Sequence, residues 1–245
     1  MKKNLTSVLF ALSAAWSSFA QEAPTMFAVY ESHVKPAAAG VYRDAVKKFV
    51  ATSKEQKMTF SWVAGSLDDN TYVYIIPIKG FADLDKNMFA DLEAKIGKDA
   101  MAGLWQSLDK CVEYQSSSAS VYLPALSYLA PGPDDNFRNV FYWFPQAGKT
   151  AESEALVAEW VKLATTKKSP NGFQTFKTLF GGEAGYVIVS WGKNKLDYES
   201  KTQKAYELMG EEQGKLWQKT LLIARKFYTK VGWIENELSY APAPN

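Results

Sequence analysis

Two stretches of 25 residues constrain this chain more than anything else in it. Leu104–Tyr128 reads LWQSLDKCVEYQSSSASVYLPALSY, and Leu216–Tyr240 reads LWQKTLLIARKFYTKVGWIENELSY. Both run from Leu-Trp-Gln to Leu-Ser-Tyr without a gap, at a constant separation of 112 positions. A repeat of that period is too long for a solenoid unit and suits a duplicated small domain.

Upstream, the best match of the two copies lies at a separation of 114, which pairs Phe27 with Phe141, Phe49 with Leu163, and Tyr72-Val73 with Tyr186-Val187. The halves are expected at about 26–128 and 140–240. They are joined by Leu129-Ala-Pro-Gly-Pro-Asp-Asp-Asn136, dense in residues that break helices and strands.

In the first half, Met26–Glu31 predicts a strand. Pro36 suits a first helical turn, and Tyr42, Val46, Phe49 and Val50 follow at the spacing of one apolar helix face. Met58–Ala64 and Tyr72–Pro77, around Ser66–Asn70, predict a hairpin; Phe173–Phe180 and Tyr186–Trp191 repeat it. The glycines at 181, 182 and 185 precede a strand, so they are turn glycines and not a phosphate-binding loop. Helical patterns then run over 85–112, with breaks expected at Gly97 and Gly103, and over about 197–224. The last segments read as extended, with Val121, Tyr122 and Leu123 the clearest strand residues of the first half.

Each half is thus strand–helix–strand–strand–helix–strand, the split βαβ of a ferredoxin-like fold. The pattern resembles the dimeric α+β barrel superfamily. That resemblance implies an α+β fold in which two tandem ferredoxin-like βαββαβ units pack their antiparallel sheets face to face, here fused in one chain. With the N-terminal pattern described next, the repeat gives the expected domain layout: a signal peptide over 1–20, unit one over 24–131, a linker over 132–139 and unit two over 140–240. No family-specific catalytic motif accompanies the topology, so the resemblance carries over no catalytic residue.

The N-terminus has the pattern of an export signal. Lys2 and Lys3 precede the apolar run Leu5–Ala15, and Ser18-Phe19-Ala20 supplies small residues for cleavage before Gln21. The expected location is periplasmic or secreted. The run is short of the ~20 apolar residues that span a bilayer, so no integral membrane segment is expected after cleavage. The chain carries 28 Lys+Arg against 26 Asp+Glu, and loss of Lys2 and Lys3 would balance the charges. Neutral overall and mixed in sign, such a protein lacks the basic footprint of a nucleic-acid binder.

Chemistry-bearing residues are few. His33 is the single histidine and Cys111 the single cysteine, so no hydrolytic triad and no metal site are expected. Cys111 matches Ile223 in the repeat and reads as a buried small hydrophobe. Asp68-Asp69 and Asp134-Asp135 fall in turns, where Asp is favoured for its backbone hydrogen bonds. His33 has Ala147 as its partner at the separation of 114, so the fold does not demand it, and histidine is the side-chain type best suited to proton transfer.

Aromatic residues make up 14% of the chain. Trp105 and Trp217 match across the repeat and point to the core. If Val73 and Ile75 face the helices, alternation sends Tyr72 and Tyr74 to the opposite face. Together with Trp62 and His33 they are the candidate pocket residues. The sequence therefore predicts an exported soluble protein whose biochemical role it leaves open, with room for a small apolar or aromatic ligand between its two sheets unless these rings simply fill that space, and with no cofactor. A cofactor-free monooxygenase-like enzyme of the same superfamily is the alternative. Haem is disfavoured, because the resembling haem families hold iron through a histidine in the second unit and this chain has none there. Catalytic residues and the oligomeric state are left open.

Overall fold

The computed structural model describes residues 26–130 and 135–243. The export segment and Asp134 lie outside these residues. Among the described residues there are eight strands and five α-helices. The first half holds β1 (Met26–Val34), α1 (Ala39–Glu55), β2 (Val63–Leu67), β3 (Thr71–Ile78), α2 (Ala90–Ile96), α3 (Lys98–Asp109) and β4 (Val112–Tyr122). The second holds β5 (Phe137–Pro145), α4 (Thr150–Lys167), β6 (Phe173–Phe180), β7 (Tyr186–Gly192), α5 (Lys195–Ile223) and β8 (Ala224–Ile234).

All strand pairs are antiparallel, and the order β1-β3-β2-β8-β5-β7-β6-β4 closes on itself as an eight-stranded barrel. Each half contributes four neighbouring strands. The two sets meet edge to edge at short joints, β2 with β8 over Gly65–Leu67 and β4 with β6 over Ala119–Tyr122. Two cores lie between the barrel wall and the helices. One gathers Tyr42, Val46, Phe49, Ile76, Leu104 and Leu108; the other gathers Trp143, Leu156, Leu163, Tyr186, Met209 and Leu216.

The two halves keep a common geometry at a separation of 111 positions from β1 through β2, not the 114 expected from sequence. The bulge that ends regular β1–β4 pairing falls between His33 and Val34, and its counterpart falls between Phe144 and Pro145. Lys57 and Lys168 both follow a helix with φ 51°. Tyr240 forms a bridge with Trp62, and Tyr128 forms one with Phe173. The hairpin between β6 and β7 is three residues longer, which restores a separation of 114 at β3 and β7.

The error has a plain cause. A shift of three is nearly one helical turn, so the apolar face of α1 matches α4 at either separation. In a strand an odd shift exchanges the two faces. Phe27 lies inside the barrel against Phe176, whereas Phe141 lies outside against Trp217, so the two are not equivalent. The true counterpart of His33 is Phe144, not Ala147.

Other boundaries moved for similar local reasons. Residues 58–61 are not strand; regular pairing starts at Val63. Gly97 (φ 86°) separates α2 from α3 as expected, but Gly103 sits inside α3. β4 begins at Val112, because EYQSSSAS forms a strand despite its polarity. Its Glu113–Ser117 stretch is exposed, with β1 on one side and no strand on the other. Trp105 is 37% exposed and packs at the margin of the core, while Cys111 and Ile223 are both buried as expected.

Candidate functional site

Pair registers assign each side chain to the barrel lumen or to the helix side. On β1 and β3, Tyr30 lies opposite Tyr74 and Ser32 opposite Tyr72. Tyr42 of α1 meets both tyrosines, its hydroxyl 3.0 Å from that of Tyr74 and its ring 4.8 Å from that of Tyr72. Tyr72 and Tyr74 therefore face the helices. The expectation that they line the space between two sheets is corrected by this contact, because the β3 alternation is set opposite to the assumed one.

The cavity lies on that helix side, in the first half. It has a volume of about 510 Å³. Its floor is β1 and β4, through Tyr30, Ser32, Gln115 and Ser117; α1 gives Tyr42, Val46 and Phe49. Lys86–Phe89, with Trp105 and Leu108 of α3, complete the enclosure. Phe89 holds the aromatic wall together, edge-on to Phe49, Phe60 and Trp105. Trp62 is 5% exposed and is fixed by its indole N–H, which donates to the carbonyl of Leu238 at 2.8 Å.

Besides Glu31, Lys86 and Asn87, two hydrogen-bonded polar pairs border this space. One is the Tyr42–Tyr74 hydroxyl pair. Burial, above all, raises both tyrosines above their ordinary pKa, Tyr74 strongly. The pair therefore stays protonated at neutral pH and can offer hydrogen bonds but no phenolate base. The other is a cross-strand pair, in which the Gln115 amide donates to the Ser32 hydroxyl at 3.3 Å. Gln115 through Ser117 are exposed, so the cavity reaches solvent at the free edge of β4.

Of the four residues singled out from sequence, Trp62 and Tyr74 line this cavity. Tyr72 is buried behind Tyr42 and supports it. His33 stands apart, on the opposite face of β1. Its Nδ1 is 3.0 Å from Thr71 Oγ1, its ring stacks on Tyr114 at 3.9 Å, and Nε2 is 3.8 Å from Glu31. That side of the barrel carries its own ion pairs and stacked rings. Lys230 pairs with Asp69 at 2.7 Å, and Tyr142 stacks on Tyr228 at 4.7 Å. Burial and the nearby Glu31 carboxylate push the Tyr142 hydroxyl far up. A histidine-held haem does not fit the cavity, since the single histidine points away from it toward these groups.

Sequence reasoning missed Ser32, Gln115, Phe89 and the chemical side of Tyr42. A hydroxyl within the apolar stripe of α1 was the one signal available for Tyr42. Ser32 and Gln115 become a pair only through strand register.

No family model matches this chain, and no curated protein matches it in sequence. Solved structures do match in fold. An anthrone oxidase-like protein superposes with a TM-score of 0.61 at 14% identity, covering 88% of this chain and 93% of that one. A candidate monooxygenase from Lactobacillus acidophilus NCFM gives 0.55 at 10% identity, over 88% and 95% of the two chains. A chlorite dismutase variant from Candidatus Nitrospira defluvii gives 0.52 at 7%, over 86% and 92%. These neighbours are members of the dimeric α+β barrel superfamily. At such identities the likeness speaks for the fold alone, since one fold hosts many activities.

Proposed function

We propose that this chain is an exported tandem of two ferredoxin-like units, about 24–131 and 137–240, the second opening with β5 at Phe137 and not at 140 as expected from sequence. Its first unit binds one small planar aromatic molecule between sheet and helices. The observation that carries the reading is the 510 Å³ cavity walled by Tyr30, Phe49, Trp62, Phe89 and Trp105, with the Tyr42–Tyr74 hydroxyls on one side and the Ser32–Gln115 pair on another. That size and that mixture of rings with a few convergent hydroxyl and amide groups suit a drug-sized ligand. Protonated Tyr42 and Tyr74 favour a carbonyl or phenolic oxygen as the polar part of that ligand.

The test uses 1,8-dihydroxyanthraquinone as probe, followed by quenching of tryptophan fluorescence and by calorimetry. One saturable site per chain is expected. Tyr74→Phe should weaken it about 5–10-fold, the loss of a hydrogen bond of roughly 1 kcal/mol. Non-saturable binding, or binding indifferent to Trp62→Leu, would refute the site.

A second reading is oxidation of the bound molecule by dioxygen without a resident cofactor. It is favoured by the buried hydroxyl pair at the cavity wall and by the names of two structural neighbours. For anthrone the balanced reaction is anthrone plus O₂ giving anthraquinone plus water. The hydroxyl pair would hold the carbonyl oxygen as negative charge develops on it. Oxygen uptake with anthrone, in the presence of a chelator, tests this; a rate equal to that of buffer would exclude it for that substrate.

Export is tested separately. Protein recovered from the periplasm or medium should begin at Gln21, and an intact Met1 on the native protein would contradict cleavage.

A further inference from the structure

The two halves place different cross-strand pairs at one position of their sheets. In the first half Ser32 on β1 lies opposite Gln115 on β4. In the second, Trp143 on β5 lies opposite Phe227 on β8. Ser32 and Trp143 are 111 apart, the separation fixed by the bulges and bridges. Gln115 and Phe227 are 112 apart, the separation that relates Tyr128 to Tyr240.

The consequences for packing are opposite. Ser32 and Gln115 floor the aromatic cavity. Trp143 is 1% exposed, its ring 5.6 Å from that of Tyr186, and it belongs to the core beneath α4 and α5. Phe227, itself 44% exposed, meets Phe141 and Trp217, so rings cover the floor of the second half out to its solvent edge. Trp143 also buries its indole N–H with no hydrogen-bond partner among the described residues. An unmet donor of this kind costs free energy, so the site is occupied by a ring that fills space without polar satisfaction.

We propose that Trp143 and Phe227 plug a second aromatic site, and that Ser32 and Gln115 are the residues that keep the first one open. The chain thus holds one working site and one closed counterpart. The ligand class is that of the proposed function, a planar aromatic with an oxygen at one edge, and the claim about ligand rests on that reading. The claim about plug and opening does not.

Three proteins test it: wild type, Ser32→Trp/Gln115→Phe, and Trp143→Ser/Phe227→Gln. Xenon-pressurised crystals locate apolar cavities independently of any organic ligand. Xenon is expected in the first half of the wild type, in neither half of the first variant, and in both halves of the second. Calorimetry with 1,8-dihydroxyanthraquinone should give one, zero and two equivalents respectively, with circular dichroism confirming that each protein is folded. If the xenon pattern holds but no protein binds the probe, the aromatic-ligand reading fails and the plug stands. Xenon between β5 and α5 in the wild type would overturn the plug. So would a folded Ser32→Trp/Gln115→Phe protein that still takes xenon in the first half. Should Trp143→Ser/Phe227→Gln not fold, the other two proteins decide the matter.

Discussion

Tyr240 donates its hydroxyl to the carbonyl of Met58, 182 positions upstream and in the other half, at 2.8 Å. Tyr128 does the same in reverse, donating to the carbonyl of Ser169 at 3.0 Å. The terminal segment of each half therefore crosses to the other. Leu238 and Tyr240 are buried in the first core, and Leu123, Leu126 and Tyr128 pack against the second.

Removing that arm should unfold more than a tail. Tyr240→Ala takes away a side chain that is 4% exposed and its hydroxyl contact, and is expected to cost about 3–5 kcal/mol, as for other large core truncations. Tyr240→Phe should cost only about 1 kcal/mol, the hydrogen bond alone. Urea denaturation of the two variants gives both numbers. Equal losses would mean that the ring contributes nothing to the core.

Arg43 ties the same crossing by charge. Its two guanidinium nitrogens reach the two oxygens of Glu235 at 2.7 and 2.9 Å, and Ser66 adds a hydrogen bond at 2.6 Å. Burial alone would push Glu235 up, but the hydrogen bonds from Arg43 and Ser66 outweigh it and hold the carboxyl below its ordinary 4.5. The native chain thus binds this proton less readily than the unfolded chain. Its stabilisation is complete above about pH 4.5 and is lost as pH falls through the lower folded value. Glu235→Gln should cost about 1 kcal/mol at pH 7, the bridge being partly exposed. It should also flatten the fall in melting temperature between about pH 5 and 3. An unchanged acid limb would show that other carboxylates govern it.

Much of this fold was legible because helices and strands leave different periods. The face of α1, the β6–β7 hairpin, the burial of Cys111 and the alternation of elements all follow from local pattern. What escaped was register. Phe27 with Phe141 looked equivalent because a three-residue shift preserves a helix face, and the helix outvoted the strands. The end of β4 was legible at Val121 and Tyr122, but its first part was not, because Glu113–Ser117 is exposed and no alternation of apolar and polar residues marks it. The cavity was misplaced for the same reason: Ser32 and Gln115 are neighbours only once β1 and β4 are paired, and Tyr74 finds Tyr42 only once the face of β3 is known. His33 drew attention by its chemistry, although its surroundings give it a structural hydrogen bond to Thr71.

Lys57 and Lys168 offer a test of the equivalence that replaces the earlier one. Both hold φ 51° just past α1 and α4. A lysine tolerates this left-handed conformation at a cost of roughly 1 kcal/mol, and a β-branched side chain tolerates it worse. Lys57→Val and Lys168→Val should each lower stability by about 1–2 kcal/mol, and the double variant by the sum, since the sites share no partner. Chemical denaturation measures this. A large loss at one site with none at the other would show that the two turns are not the same structure.

The closure of the barrel rests on the narrow β2–β8 joint, and Gly232 is its tightest point. A Cβ at Gly232 would stand 2.1 Å from the carbonyl oxygen of Ser66 and 2.8 Å from Leu67. The backbone oxygen cannot retreat without parting the two strands. Gly40, in α1, has nothing within 4 Å of the same atom. Gly232→Ala should therefore cost about 2–4 kcal/mol through forced strand separation. Gly40→Ala should stabilise the chain by up to about 1 kcal/mol, as alanine does in an open helix position. Hydrogen exchange distinguishes a local opening from general weakening. The amide of Asp68 donates to the carbonyl of Val231 beside the joint at 2.9 Å. In Gly232→Ala its protection should fall far more than that of amides at the β5–β7 centre, such as Val140. Uniform loss across both would mean that the joint opens only when the whole barrel does.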